Sequence, residues 1–211
     1  MMIEDFGARV ASVWEGLRPT TRSLIVGALQ ATAPPAATAT PARSKQTPYD
    51  PRADWELSRL LAALDERAAE ADEAALSAEQ ARALRRMAET TANVLQDQTQ
   101  SAEVFAQLVE RAHARHHFAR IDALADALSS RFAPSEICEL TRAAHPVVRA
   151  LAQEALAQSP VNILMALLAD PVDHDVARAA IERKANEYDS DEARQITILL
   201  EHADALDDEE E

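Results

Sequence analysis

Four columns of residues recur at a fixed period of 29 in the second half of this chain. Arg120, Arg149 and Arg178 are 29 apart, and His116, His145 and His174 repeat four residues before them. Two before each arginine stands an apolar residue, Phe118, Val147 or Val176, and one before it stands Ala119, Val148 or Ala177. The written form is His-x-Φ-[Ala/Val]-Arg. A period of this size is that of a helix pair that cannot bury its apolar face alone, so neighbouring pairs must stack. The fold expected is all-α: a short α-solenoid of helix pairs, preceded by a longer helical hairpin. Each motif falls at the first turn of the first helix of its pair. The repeated His and Arg then form ladders along one edge, with rungs about one helix diameter, on the order of 10 Å, apart.

Composition supports helices. Apolar residues make up 47% of the 211 residues but aromatics only 4%, so Ala and Leu must build the core. Such side chains suit closely spaced helices more than a sandwich or barrel. Breaks after Ser101 are regular, with Pro134, Pro160 and Pro171 at or near helix starts and Asp189 with Glu192 as a cap signal. They predict helices at 101–114, 117–132, 135–143, 146–158, 161–169, 173–188 and 190–205. Upstream, Leu57, Leu60, Leu61, Leu64 and Ala68 form one stripe, and Ala81, Leu84, Ala88 and Leu95 another. Ser77 with Gln80 forms a capping box that opens the second helix. These two helices read as an antiparallel hairpin. At the start, Ile3, Phe6, Val10, Val13, Trp14 and Leu17 trace one amphipathic helix, and Leu24–Leu29 a second, short one. The resulting organisation is an N-terminal helical segment at 1–31, a Pro/Ala/Thr-rich linker at 32–51, a helical-repeat domain at 52–205 and an acidic tail at 206–211. The first segment reads as a tethered docking element outside the main core.

Within the repeats, Val148-Arg149-Ala150-Leu151-Ala152-Gln153-Glu154-Ala155-Leu156 resembles the first helix of a HEAT-type repeat. The resemblance covers residues 116–202. His145 stands where such repeats usually carry Asp, Phe118-Ala119 departs from the pattern, and the third unit lacks the closing Ala-Leu. The resemblance implies a binding surface or scaffold and no particular partner.

Several function classes are disfavoured. The glycines are Gly7, Gly16 and Gly27, and residues 28–211 contain none. A dinucleotide fingerprint, a P-loop and a kinase-type loop all need glycine where backbone approaches phosphate, and no nucleophile-elbow pattern is present. The formal net charge of −15 disfavours nucleic acid as a partner. No run reaches the length of a membrane span, and the segment before Ser23–Leu29 lacks a positive leader region. The single cysteine, Cys138, reads as a buried small hydrophobe in a reducing compartment. A cytoplasmic location is expected. The preference for Arg over Lys, which occurs only as Lys45 and Lys184, together with the abundant Ala, suggests a bacterial, high-GC source.

Two constellations remain. The ladder His116, Arg120, His145, Arg149, His174 and Arg178 sits near helix N-termini, which favour anions, and offers an edge for an acidic segment of another protein. Equally, its arginines can pair with neighbouring acids while its histidines cap turns. The stretch from Arg111 to Arg120, with Arg115 and no carboxylate, is the one basic run. Within it His113 and His117 are spaced i, i+4, as zinc ligands on one helix face are. That makes a metal-binding or enzyme-accessory protein the alternative reading, although Glu110-x-x-His113 has no second copy and no cysteine stands nearby. The leading expectation is a protein–protein interaction scaffold without catalysis or cofactor.

Overall fold

The computed structural model describes residues 3–31, 49–70 and 76–207, and every regular element among them is helical. The expected linker therefore lies outside the described residues over 32–48, and the expected acidic tail over 208–211. The chain divides into two compact units, Met1–Val104 and Phe105–Glu211.

The first unit holds a 3-10 turn, Ile3–Phe6, and helices α1 (Ala8–Gly16), α2 (Pro19–Ala31), α3 (Pro51–Ala69) and α4 (Ala78–Gln98). The single helix expected over Ile3–Leu17 is broken at Gly7, whose φ of 107° L side chains rarely adopt. Arg67 Nε holds the break by donating to the Phe6 carbonyl at 2.9 Å. The apolar stripe survives the break: Phe6, Val10 and Leu17 are buried. α2 is longer than the expected Leu24–Leu29, because Pro19 occupies its first position with a preset φ.

Helices α3 and α4 pack together as the sequence predicts. Leu57, Leu60, Leu61 and Leu64 of α3 are fully buried, as are Leu84, Ala88 and Leu95 of α4. The capping box at Ser77 is formed in both directions. The pair is antiparallel, since Thr99 at the end of α4 donates to Asp54 in the first turn of α3 at 2.6 Å.

The boundary expected near Arg52 is not where the chain divides. α1 packs on α3, and α2 packs on both α3 and α4, so residues 3–31 share one unit with the hairpin instead of standing apart from it. The reason is a buried polar knot. Glu56, only 4% exposed, accepts hydrogen bonds from Thr21 Oγ1 at 2.5 Å, from the Arg18 backbone nitrogen at 3.2 Å and from Arg18 Nε at 3.0 Å. Arg18 also reaches Asp50 at 2.8 Å, and Asp50 caps α3 through the backbone of Arg52 and Ala53. Spacing and hydropathy carry no sign of such a contact between residues 38 apart.

In the second unit, α5 (Ala102–Ala114) crosses the boundary, and α6 (Phe118–Arg131), α7 (Pro134–Leu140), α8 (Pro146–Gln158), α9 (Val161–Leu167), α10 (His174–Glu187) and α11 (Asp191–Asp207) follow. All lie within a few residues of the predicted spans. Pro134 and Pro146 stand at the first positions of α7 and α8, where a missing N–H has no consequence. The cap expected from Asp189 and Glu192 is supplied one residue later. Ser190 Oγ accepts from the Ala193 backbone, while Asp189 turns the chain with a φ of 54°. Contacts run between alternate helices: α6 with α8, α8 with α10, and α7 with α9. Sequential contacts join α7 to α8, α9 to α10 and α10 to α11. Phe105 and Phe132 meet edge to face with ring centroids 5.3 Å apart, filling the start of this core.

The polar knot has a pH signature. Burial alone would raise the Glu56 carboxyl, but the Thr21 hydroxyl, the Arg18 backbone and the Arg18 guanidinium outweigh it and hold the group below the ordinary carboxylate range. A lowered value stabilises the fold above the unfolded-state pKa, and the gain is lost as pH falls through the folded value. Two residues away, Asp54 shifts upward because burial outweighs its bonds to Thr99 and Tyr49. Its contribution has the opposite sign: it is present at low pH and lost as pH rises through the raised value. Glu56→Gln is expected to reduce stability at pH 7 by about 2–3 kcal/mol. It should also flatten the loss of stability between about pH 5 and pH 3. Urea unfolding followed by circular dichroism across that range checks both effects, and an unchanged acid limb would assign it to another group.

Candidate functional site

The helix starts of the repeated units do not keep the motif's period. α6, α8 and α10 begin at Phe118, Pro146 and His174, so the histidine column slides inward along the helix ends. His116 precedes α6 by two residues, His145 is the N-cap of α8, and His174 is the first residue of α10. Their surroundings differ accordingly. His116 is exposed, with a φ of 56°. His145 lies edge to face on His113, ring centroids 5.0 Å apart, with its Nδ1 buried and without a hydrogen-bond partner among the described residues. His174 Nδ1 is 2.8 Å from the Leu168 carbonyl, which it can meet only as a donor. The arginines that follow serve the chain itself. Arg149 donates to the carbonyls of Ala143 and Ala144 at 2.8 and 2.6 Å, tying the turn before α8. Arg178 pairs with Glu182 on its own helix at 3.3 Å.

The basic stretch is a tight turn between α5 and α6. His116 donates to the His113 carbonyl and His117 to the Ala112 carbonyl, the paired bonds that close a helix on a left-handed residue. Arg111 is buried, Arg115 and Arg120 are half-buried, and His117 is the N-cap of α6. His113 and His117 therefore do not share a helix face, contrary to the i, i+4 expectation, because α5 ends between them. No group of three or more His, Cys, Asp or Glu among the described residues is placed to hold a metal ion.

A concave surface of this unit lies elsewhere. A groove of about 960 Å³ runs between α8 and α10 and is bounded by Thr141 and Arg142 after α7. Its walls pair residues one period apart: Ala150 with Ala179, Leu151 with Ala180, and Glu154 with Arg183. The last of these is a direct ion pair at 2.9 Å. Arg183 also binds Glu187 on its own helix at 2.7 Å, and the Tyr188 hydroxyl donates to Glu154. The Tyr188 hydroxyl first, then Gln158 and Arg183, hold the Glu154 carboxyl below its usual range, and the same bond raises the Tyr188 phenol. At the other end Arg142 binds buried Asp173 at 2.7 Å and the Val172 carbonyl at 2.5 Å. Lys184 reaches the Ala157 carbonyl in the last turn of α8 at 3.1 Å, where a cation is favoured.

None of the eight ladder and basic-stretch residues singled out in the sequence lines this groove. The residues missed were Arg142, Glu154 and Arg183. One signal for them was present: Glu154 and Arg183 sit one period apart with opposite charge, a column that a search for identical residues passes over. Cys138 is fully buried beneath the Arg142–Asp173 contact, and burial first, then nearby Asp173, pushes its thiol up to about 11. It is inert near neutral pH, since the thiolate is the reactive form. No helix of the described residues is long and apolar enough to cross a membrane.

No family model matches this chain, and neither a curated protein nor a solved structure does.

The left-handed residue at the α5–α6 turn carries a side chain where glycine is usual. His116→Gly is expected to raise stability by about 1 kcal/mol by removing that strain. Thermal and urea unfolding measure it, and a loss of stability would mean that the imidazole makes a contact worth more than the strain.

Proposed function

We propose that this chain is a non-enzymatic interaction module whose residues 116–207 form a short solenoid of HEAT-like helix pairs. Its working surface is the groove between α8 and α10, and its ligand is another protein. The observation that carries the reading is the Glu154–Arg183 ion pair, because it joins equivalent positions of two successive repeats. Contacts of α6 with α8, α8 with α10 and α7 with α9 support the same order of stacking, each helix lying beside its counterpart in the next pair. An open groove floored by alanine, leucine and valine, with charged groups along its rim, is suited to a protein segment. A chemical step would need nucleophile, base and electrophilic groups converging on one point. Arg142, Glu154, Arg183 and Glu187 of this groove are instead engaged with other groups of the chain. A metal-centred function at His113 and His117 has no support from their placement on either side of a helix end.

A photo-crosslinking amino acid in place of Ala179, at the exposed groove wall, tests the reading in the native cells. Discrete protein adducts are expected from position 179 and not from exposed Arg85 on α4. Equal adducts at both positions, or none at 179, would contradict it.

A further inference from the structure

We infer that the groove between α8 and α10 takes a basic amphipathic helix, an inference that rests on the groove being the working surface. α8 has 13 residues and α10 has 14. At about 1.5 Å per residue each wall runs for roughly 20 Å, which is the length of a helix of three to four turns. Short side chains on both walls, Ala150 on one and Ala179 and Ala180 on the other, let a third helix approach closely along the trough.

An extended segment needs partners for its own N–H and C=O groups, and it normally finds them on a sheet edge. The described residues contain no strand, and the groove lining is apolar apart from side chains at the rim. A helix brings its backbone bonds with it and asks the groove only for apolar contact along one stripe.

Around the groove two cations, Arg142 and Arg183, meet four carboxylates, Glu154, Asp173, Asp175 and Glu187. Arg142 is committed to Asp173, and Arg183 to Glu154 and Glu187. Neither cation is left over for an acidic ligand, and Asp175 stands exposed on the rim. The chain as a whole carries −15, so its field draws cationic ligands toward it and slows anionic ones. Lysine or arginine flanking an apolar stripe would meet Asp175 at one end of the groove and Glu187 at the other.

Selection of a displayed library of random peptides, about four turns long when helical, against the full chain tests this. The peptides enriched should carry net positive charge and apolar residues spaced i, i+3 or i+4, and i+7. Measured by fluorescence anisotropy at low salt, the best of them should lose at least tenfold in affinity with Ala179→Trp. Each of Asp175→Asn and Glu187→Gln should weaken it several-fold. Circular dichroism confirms that the variants fold, and Ala150→Trp on the opposite wall serves if Ala179→Trp does not. Acidic peptides that lose binding with Ala179→Trp would overturn the basic-helix inference and leave the groove as the working surface. Peptides that bind Ala179→Trp and Ala150→Trp undiminished, or no enrichment at all, would overturn both.

Discussion

The arrangement of the second unit depends on how closely α8 and α10 approach, and alanine sets that distance. Ala152, Ala155 and Ala157 of α8 and Ala177, Ala180 and Ala185 of α10 are all buried. Small side chains bring helix axes toward the lower end of the usual 8–10 Å range. At that spacing Arg183 reaches Glu154 and Lys184 reaches the Ala157 carbonyl, so polar groups on the second helix close bonds on the first. Outward-facing Ala150 and Ala179 leave a trough above the same contact. The composition that makes the helices pack also leaves the surface open.

The first unit is held differently. The start of α2, from Arg18 to Thr21, is fastened to α3 by a carboxylate, Glu56, that is out of water yet hydrogen-bonded. Glu56 and Asp54 lie within one turn of the same helix and shift in opposite directions. Both carboxylates accept from hydroxyls and from a backbone N–H, but only Glu56 has a guanidinium beside it. Hydroxyl donors satisfy a buried carboxylate without offsetting the cost of its charge.

Helical periodicity made the elements legible. The stripes at Leu57–Leu64 and Ala81–Leu95, the capping box at Ser77 and the prolines at 134 and 146 are local signals, and local signals place helices. The break at Gly7 was missed because its apolar neighbours keep helical spacing on both sides of it. The division of the chain was misplaced because the Arg18–Glu56 contact is nonlocal and polar. At the surface, the His and Arg columns drew attention because they repeat identically. Identity in sequence does not carry over to identity of contact: Arg149 ties the turn before α8, whereas Arg178 pairs along its own helix. In the groove Ala150 and Ala179 repeat by type, but abundant alanine hides them, and Glu154 and Arg183 repeat only as a reversal of charge.

Positions 29 apart become neighbours across α8 and α10. Spin labels on an Ala150→Cys, Ala179→Cys double variant in a Cys138→Ala background measure this by electron paramagnetic resonance. Both sites are exposed on adjoining helices. With axes about 8–10 Å apart, dipolar broadening corresponding to a separation below about 20 Å is predicted. A separation beyond about 30 Å, or a broad distribution without a short component, would contradict it.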